Sequence, residues 1–295
     1  MARLYKYSGA GNDFVVLDGR TEVVSAYRTP ERIAALCDRT TGFIPSSAGS
    51  SGTSRAGADG LMILTDDPDY DFRMEYYNSD GSGGMMCGNG GRCIVAFADA
   101  LGLKPRDGRV FRFVAADGEH TGEILAREGK RKTVRLRMID VHTFHPALDG
   151  WFLDTGTRHF VRFVPDADAV DVETEGRQAR WDPVFAPIGA NANFVSVDPD
   201  GTLRVRTFEK GVEAETLACG TGITAAALAA FLSTEAAMFP HTPSTCRPEP
   251  VEGSFCYNIQ ARIDRLAVAF RPLPDGSGFT DVYLTGPAEE IGRGV

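Results

Sequence analysis

No stretch of this chain is apolar for long enough to cross a bilayer: the longest helical apolar run, 223–232, falls well short of the roughly 20 residues a spanning helix needs. That run predicts a buried helix instead. The opening MARLYKYSGAGNDF does not read as a secretory leader either, because it turns polar and glycine-rich at once, where a leader would continue into an apolar core and a cleavage site. Positive charge is scarce, with 31 Lys and Arg against 40 Asp and Glu for a formal net charge of −9. This argues against nucleic acid or an acidic membrane surface as the main partner and favours small molecules. Nor do the six cysteines, Cys37, Cys87, Cys93, Cys219, Cys246 and Cys256, include a Cys-x2-4-Cys pair, so the usual zinc knuckle has no ligands and no metal is expected. In a chain without a leader, these cysteines fit reduced thiols in a cytoplasm better than a disulfide scaffold.

What is present, 295 residues, suffices for two domains or one large one with a sizeable core. Period-two alternation marks short strands at 4–7, 14–18, 61–65, 72–77, 110–115, 122–126 and 134–138. The second half adds strands at 151–154, 159–164, 194–197, 203–208, 259–263, 266–270 and 282–285. One helix is expected from Pro30 to about Arg39, capped by Thr29, with Ile33, Leu36 and Cys37 inward. The Ser/Gly-rich segment 44–57 and the proline-containing segment 241–253 read as loops, the second carrying Cys246 as an exposed, incidental thiol. Many strands with few helices point to an α+β fold.

One pattern occurs twice. MCGNGGRCIVAFADAL at 86–101 and ACGTGITAAALAAFL at 218–232 both run Cys-Gly-x-Gly into a segment apolar nearly all round, the mark of an enclosed helix. A strand and a polar turn precede each copy, at 72–77 and 203–208. The expected architecture is therefore two pseudo-symmetric domains, each a curved mixed or antiparallel sheet wrapped around a central apolar helix. Each helix entrance would bring one thiol to a common site.

The chemistry of that placement follows from the helix end. First-turn N–H groups are unpaired and carry the positive end of the macrodipole, about half an elementary charge, so anions are favoured there. A cysteine so placed has its pKa lowered from about 8.5, which raises its thiolate fraction at neutral pH. Two such loops could hold one substrate between two thiols. A tetrahedral carbon with thiolate on one face and thiol on the other can lose a proton on one side and regain one on the opposite side, which inverts it.

GAGNDF at 9–14, GADGL at 57–61, YNSDGS at 77–82, CGNGGRC at 87–93 and FEKGVEAETLACGTG at 208–222 together resemble the diaminopimelate epimerase family across nearly the whole chain. The resemblance implies cofactor-independent interconversion of LL- and meso-diaminopimelate by two cysteines, on the route to lysine and cell-wall peptidoglycan. It implies an N-terminal domain of residues 1–137 completed by 287–295, a C-terminal domain of 138–286, and a cytoplasmic homodimer. Cys87 and Cys219 match the acid/base pair, with Gly88, Asn89, Gly220 and Thr221 at the helix entrances that would receive the reacting carboxylate. Asn12, Asn78 and Asn191 match substrate-contacting asparagines, Glu209 a carboxylate beside the site, and His159 a group that orients or polarises a thiol. Three positions depart from the family pattern. A Gly-Asn-Pro-His motif is here Gly156-Thr157-Arg158-His159, an arginine is replaced by Lys210, which supplies charge but no bidentate fork, and a glutamine falls at Gly60.

Three rival readings are weaker. Proline and hydroxyproline racemases resemble this chain less, because they carry histidine after the first Cys-Gly, where Asn89 stands. A cysteine hydrolase pairing one thiol with a histidine leaves the duplicated cysteine unexplained. A module that only captures anions at two helix ends needs neither thiol.

Overall fold

The computed structural model describes residues 2–46, 55–84, 86–233 and 253–294. The expected loops at 44–57 and 241–253, with Cys246, lie largely outside the described residues. The chain divides into two compact units, Met1–Leu136 with Gly286–Val295, and Arg137–Thr285.

The first unit is a closed ring of strands around a helix. Its elements are β1 (Leu4–Gly9), β2 (Asn12–Asp18), helix α1 (Pro30–Cys37), β3 (Gly60–Thr65), β4 (Phe72–Asn78), helix α2 (Gly88–Ala100), β5 (Val110–Ala115), β6 (Gly118–Glu128) and β7 (Arg131–Arg137). These seven strands pair in chain order. The ring closes through the last strand of the chain, β16 (Phe279–Gly294), which pairs with β7 at Gly286↔Val134 and with β1 at Leu4↔Gly294. Neighbours are antiparallel except β2–β3 and β4–β5, the two pairs joined by crossovers that contain α1 and α2. A parallel pair requires such a crossover. The helix α2 is buried from Gly88 to Ala98, as its all-round apolar sequence predicts, and Phe97 packs against the rings of Tyr5 and Tyr7 at 5.0 and 5.6 Å. On another face, Ile33, Leu36 and Cys37 of α1 join Val15, Leu17, Leu61 and Ile63 in a second core cluster. Thr29 caps α1 by accepting from the Arg32 N–H at 3.3 Å. The helix ends at Cys37, short of Arg39, because the Asp38 carboxylate captures the N–H groups of Thr40 and Thr41 at 2.8 and 2.7 Å and draws the chain into a turn.

The second unit repeats that order. It contains β8 (Phe144–Ala147), β9 (Gly150–Asp154), β10 (Arg158–Phe163), helix α3 (Val172–Arg180), β11 (Asn191–Val197), β12 (Leu203–Glu209), a short β13 (Ala214–Thr216), helix α4 (Gly220–Leu232), β14 (Phe255–Gln260), β15 (Arg265–Pro272) and the first half of β16. Its parallel pairs are β10–β11 and β12–β14, whose connections contain α3 and α4, the counterparts of α1 and α2. Residues 138–141 hydrogen-bond to β16, with the Met138 N–H donating to the Val282 carbonyl at 2.8 Å and a bridge at Val141↔Phe279. The helix α4 is buried from Ile223 to Ala230. An α+β fold of two pseudo-symmetric units, each wrapped around one apolar helix, is what the duplicated sequence pattern predicts.

Three local expectations are corrected. The helix α3 went unread because VETEGRQAR is mostly polar, and only Val172, Gly176, Ala179 and Arg180 are buried. The strand expected at 259–263 is β14, ending at Gln260, where a turn closes with the Ala261 N–H on the Asp264 carbonyl at 3.0 Å. Cys37, Cys87, Cys93 and Cys219 are free, but Cys256 is disulfide-bonded, so the expectation of a wholly reduced set fails there. Pairing is not legible from cysteine spacing.

Candidate active site

The first unit builds its cysteine loop on a buried polar chain. Ala10 and Gly11 turn β1 into β2 with φ of 53° and 99°. Left-handed values at both central residues define the hairpin turn that glycine favours, and they deliver Asn12 to the start of β2. Asn12 Nδ2 donates to Asp59 Oδ2 at 2.9 Å. Asn89 Nδ2 donates to Asn12 Oδ1 at 2.5 Å, and Arg92 Nη2 donates to Asn89 Oδ1 at 2.6 Å. Arg92 is fully buried and also holds the carbonyls of Gly88 at 3.1 Å and Pro287 at 3.3 Å. The orientation of both asparagine amides is thereby fixed, since guanidinium can only donate. At the other end of the chain, Arg39 bridges Asp59 and Asp13, and Asp13 pairs with the buried Lys6 at 2.8 Å.

Cys87 is the N-cap of α2, and its Sγ accepts the Gly90 N–H at 3.2 Å. A backbone N–H aimed at sulfur, in the first turn of a helix, stabilises negative charge on that atom. The thiol is exposed. Cys93, further along the same helix, is fully buried, and burial pushes its thiol up, as it pushes Cys37 up to about 12. Both are core thiols, inert as nucleophiles.

Asn78 stands apart from this chain, its Nδ2 donating to Ser82 Oγ at 3.0 Å in the turn after β4. Gly60 lies opposite it in the β3–β4 ladder. A Cβ at Gly60 would come within 2.6 Å of the Tyr77 carbonyl and 2.8 Å of Tyr76 Cε2, so the Tyr76 ring fills the room that a side chain at this position would need.

In the second unit, Cys219 caps α4 and is 8% exposed. Its Sγ lies 3.3 Å from Thr221 Oγ1, which lies 2.9 Å from His159 Nε2. His159 thus reaches the sulfur through Thr221. Thr157 Oγ1 touches both, at 2.9 Å from Nε2 and 3.1 Å from Thr221 Oγ1. Asn191 ties strands together: its Nδ2 donates to the Arg158 carbonyl at 3.0 Å, and its Oδ1 accepts the Lys210 N–H at 2.7 Å. Glu209 ends β12 and is half-buried, as is Lys210 beside it. The structure thus gathers Cys219, Thr221, His159, Asn191 and Lys210 at one helix entrance, and Cys87, Gly88, Asn89 and Asn12 at the other.

Sequence reading missed Asp59, Arg92, Asn193 and Thr207. For Asn193 a signal existed: in ANANF, on a strand, two asparagines two apart share a face. His159 is registered opposite Asn191 in the β10–β11 pair, so that face carries the histidine too.

His159 is fully buried, and desolvation pushes its imidazole down from 6.5 to about 3. Unfolding lets the ring take up a proton anywhere between those values, so its burial withdraws stability as pH falls from about 6.5 toward 3. We expect His159→Gln to show a shallower loss of urea midpoint between pH 7 and about 4.5 than the natural chain. Parallel curves would mean that the imidazole titrates normally in the folded protein.

Among the described residues, no cluster of His, Cys, Asp and Glu could hold a metal ion, and no helix is long and apolar enough to cross a membrane. Solved structures of low identity share the fold. A hydroxyproline epimerase from Agrobacterium vitis with bound trans-4-OH-L-proline has a TM-score of 0.56 at 16% identity, over 99% of this chain and 90% of its own. A Bacillus anthracis phenazine biosynthesis protein of the PhzF family shares the fold at a TM-score of 0.66 and 12% identity, over 99% of this chain and 98% of its own. Sequence defines the family. The diaminopimelate epimerase profile matches residues 4–135 and 151–242, and a diaminopimelate epimerase from Chlorobaculum tepidum is 38% identical over 98% of both chains. This chain is an epimerase and belongs to the diaminopimelate epimerase family.

Proposed function

We propose that the protein interconverts LL- and meso-diaminopimelate without a cofactor, using Cys87 and Cys219 as proton carriers on opposite faces of one α-carbon. The observation that carries this is the repeat: each unit presents a cysteine outside any disulfide at the N-terminus of its own buried helix. In one direction a thiolate removes the α-proton while the other thiol delivers one, and in reverse the roles exchange. The carbanionic charge that develops on the carboxylate is received by the N–H groups of Gly88, Asn89, Gly220 and Thr221, where preorganised donors stabilise it most. Asn12, Asn78 and Asn191 position the substrate, Lys210 supplies charge to a carboxylate, and Glu209 lies beside the reacting centre. His159 supports the Cys219 thiol. The activity would serve lysine and peptidoglycan synthesis in the cytoplasm, with the protein acting as a homodimer.

Isotope traffic tests this scheme. Starting from LL-diaminopimelate in D2O, early meso product is expected to carry deuterium at the inverted carbon while unreacted LL-substrate stays largely protiated. The second thiol has exchanged with solvent, whereas the abstracted proton stays on the first. Early product that keeps the substrate hydrogen would mean that one base serves both faces.

A further inference from the structure

Behind Thr221 lies a buried polar chain that the proposed chemistry leaves unused. Asn193 and Thr207 are both buried. Thr207 Oγ1 donates to Asn193 Oδ1 at 2.9 Å, and Asn193 Nδ2 donates to the Phe160 carbonyl at 2.9 Å. A carbonyl can only accept, so the amide end facing Phe160 must be the NH2. That same Nδ2 lies 3.1 Å from His159 Nδ1. Nδ1 must therefore offer a lone pair, and the single proton of a neutral imidazole resides on Nε2. Desolvation keeps the ring neutral at physiological pH.

The Nε2–H faces two hydroxyl oxygens, Thr221 Oγ1 and Thr157 Oγ1, each at 2.9 Å, while the Asn191 Nδ2 stands farther off at 3.5 Å and donates to the Arg158 carbonyl at 3.0 Å. With its oxygen accepting from the imidazole, Thr221 can direct its own hydrogen toward Cys219 Sγ at 3.3 Å, its other acceptor being Thr157 Oγ1 at 3.1 Å. In the opposite tautomer Nε2 would take that hydrogen, and Thr221 would turn oxygen lone pairs toward the sulfur, a contact that suits S–H and opposes S⁻. The assembly is packed tightly under the helix entrance. A Cβ at Gly222 would come within 2.4 Å of Asn193 Oδ1, 3.2 Å of His159 Cε1 and 3.3 Å of Cys219 Cβ, so only glycine leaves room for the asparagine beneath α4.

We propose that Asn193 is a positioning residue: by holding His159 as the Nε2–H tautomer, it points the Thr221 hydroxyl at Cys219 as a donor and so serves the sulfur as an anion. Its catalytic consequence rests on the reading of Cys219 as an acid/base thiol, whereas the tautomer itself does not. Asn193 touches no substrate in this scheme.

The test is a long-range 1H–15N correlation spectrum of the full chain labelled with 15N-histidine, recorded at neutral pH without substrate. His159 is expected to show a protonated, pyrrole-type Nε2 and a pyridine-type Nδ1, and the reverse assignment would overturn the proposal whatever the enzyme's activity. In Asn193→Asp the carboxylate accepts a proton from Nδ1. The spectrum is expected to show Nδ1–H, and kcat with diaminopimelate to fall at least about tenfold while KM changes little. If that variant does not fold, Asn193→Ala, which removes the donor, is expected to show a mixture of tautomers and a lower kcat. Either variant keeping the pure Nε2–H form with full kcat would overturn the proposal. Loss of the tautomer at full kcat would leave Asn193 with no part in catalysis, and overturn it as well.

Discussion

Cys87→Ala and Cys219→Ala are each expected to lower kcat/KM for epimerisation at least about a thousandfold, since positioned acid–base groups contribute about 10²- to 10⁴-fold and neither face of the carbon has a substitute carrier. Cys→Ser at either position is expected to lose nearly as much, because a hydroxyl is too weakly acidic to stand as an anion at neutral pH. Serine keeps the shape and, at Cys87, puts an oxygen where sulfur accepts the Gly90 N–H, so this pair of substitutions separates proton transfer from packing. All four variants are expected to unfold near the natural chain's urea midpoint. For Cys87, the Gly90 N–H that caps on sulfur can turn to a serine oxygen or to water at this exposed site. For Cys219, only a small buried volume is lost. Near-natural turnover by either alanine variant would remove the two-thiol scheme, and a large fall in stability would show the thiol to be a packing element instead.

The second large effect is structural. Arg92→Met keeps the approximate length of the side chain inside α2 but removes the donors to Gly88, Asn89 and Pro287. Each buried acceptor left without a partner costs about 1 to 3 kcal/mol. A loss of that order is expected in urea unfolding, and KM is expected to rise because Asn89 and Asn12 lose the bond that fixes which end of each amide faces outward. A change below about 1 kcal/mol would mean that water replaces the guanidinium without strain.

Arg92 also shows where sequence reading ends. Its helix reads as apolar all round, and a lone arginine in CGNGGRC gives no sign that it is buried. Its partners come from Gly88 and Asn89 one turn back, but also from Pro287, 195 residues away. Asn12 and Asn89 are 77 residues apart, and nothing local couples their amides. Legible features are those with a short period or a repeat: the alternating strands, the Thr29 cap, and the two Cys-Gly-x-Gly helices that define the duplicated architecture. The helix α3 escaped because its inward face is a thin stripe whose burial comes from a tertiary contact, the Gly176 backbone against Phe208. Asn193 and Thr207 escaped for a related reason. A polar residue on a strand reads as outward-facing until the strand register places a buried histidine beside it.

The ring of the first unit has a consequence for how the chain is made. The part of its closing strand that partners β1 and β7, residues 286–294 of β16, follows the whole of residues 137–285, whereas the start of the same strand belongs to the second unit. The second unit is therefore built from contiguous sequence, whereas the first joins two segments separated by the whole of residues 137–285. Until residues 286–294 are in place, β1 and β7 each present an unpaired edge of the kind that another strand can pair with.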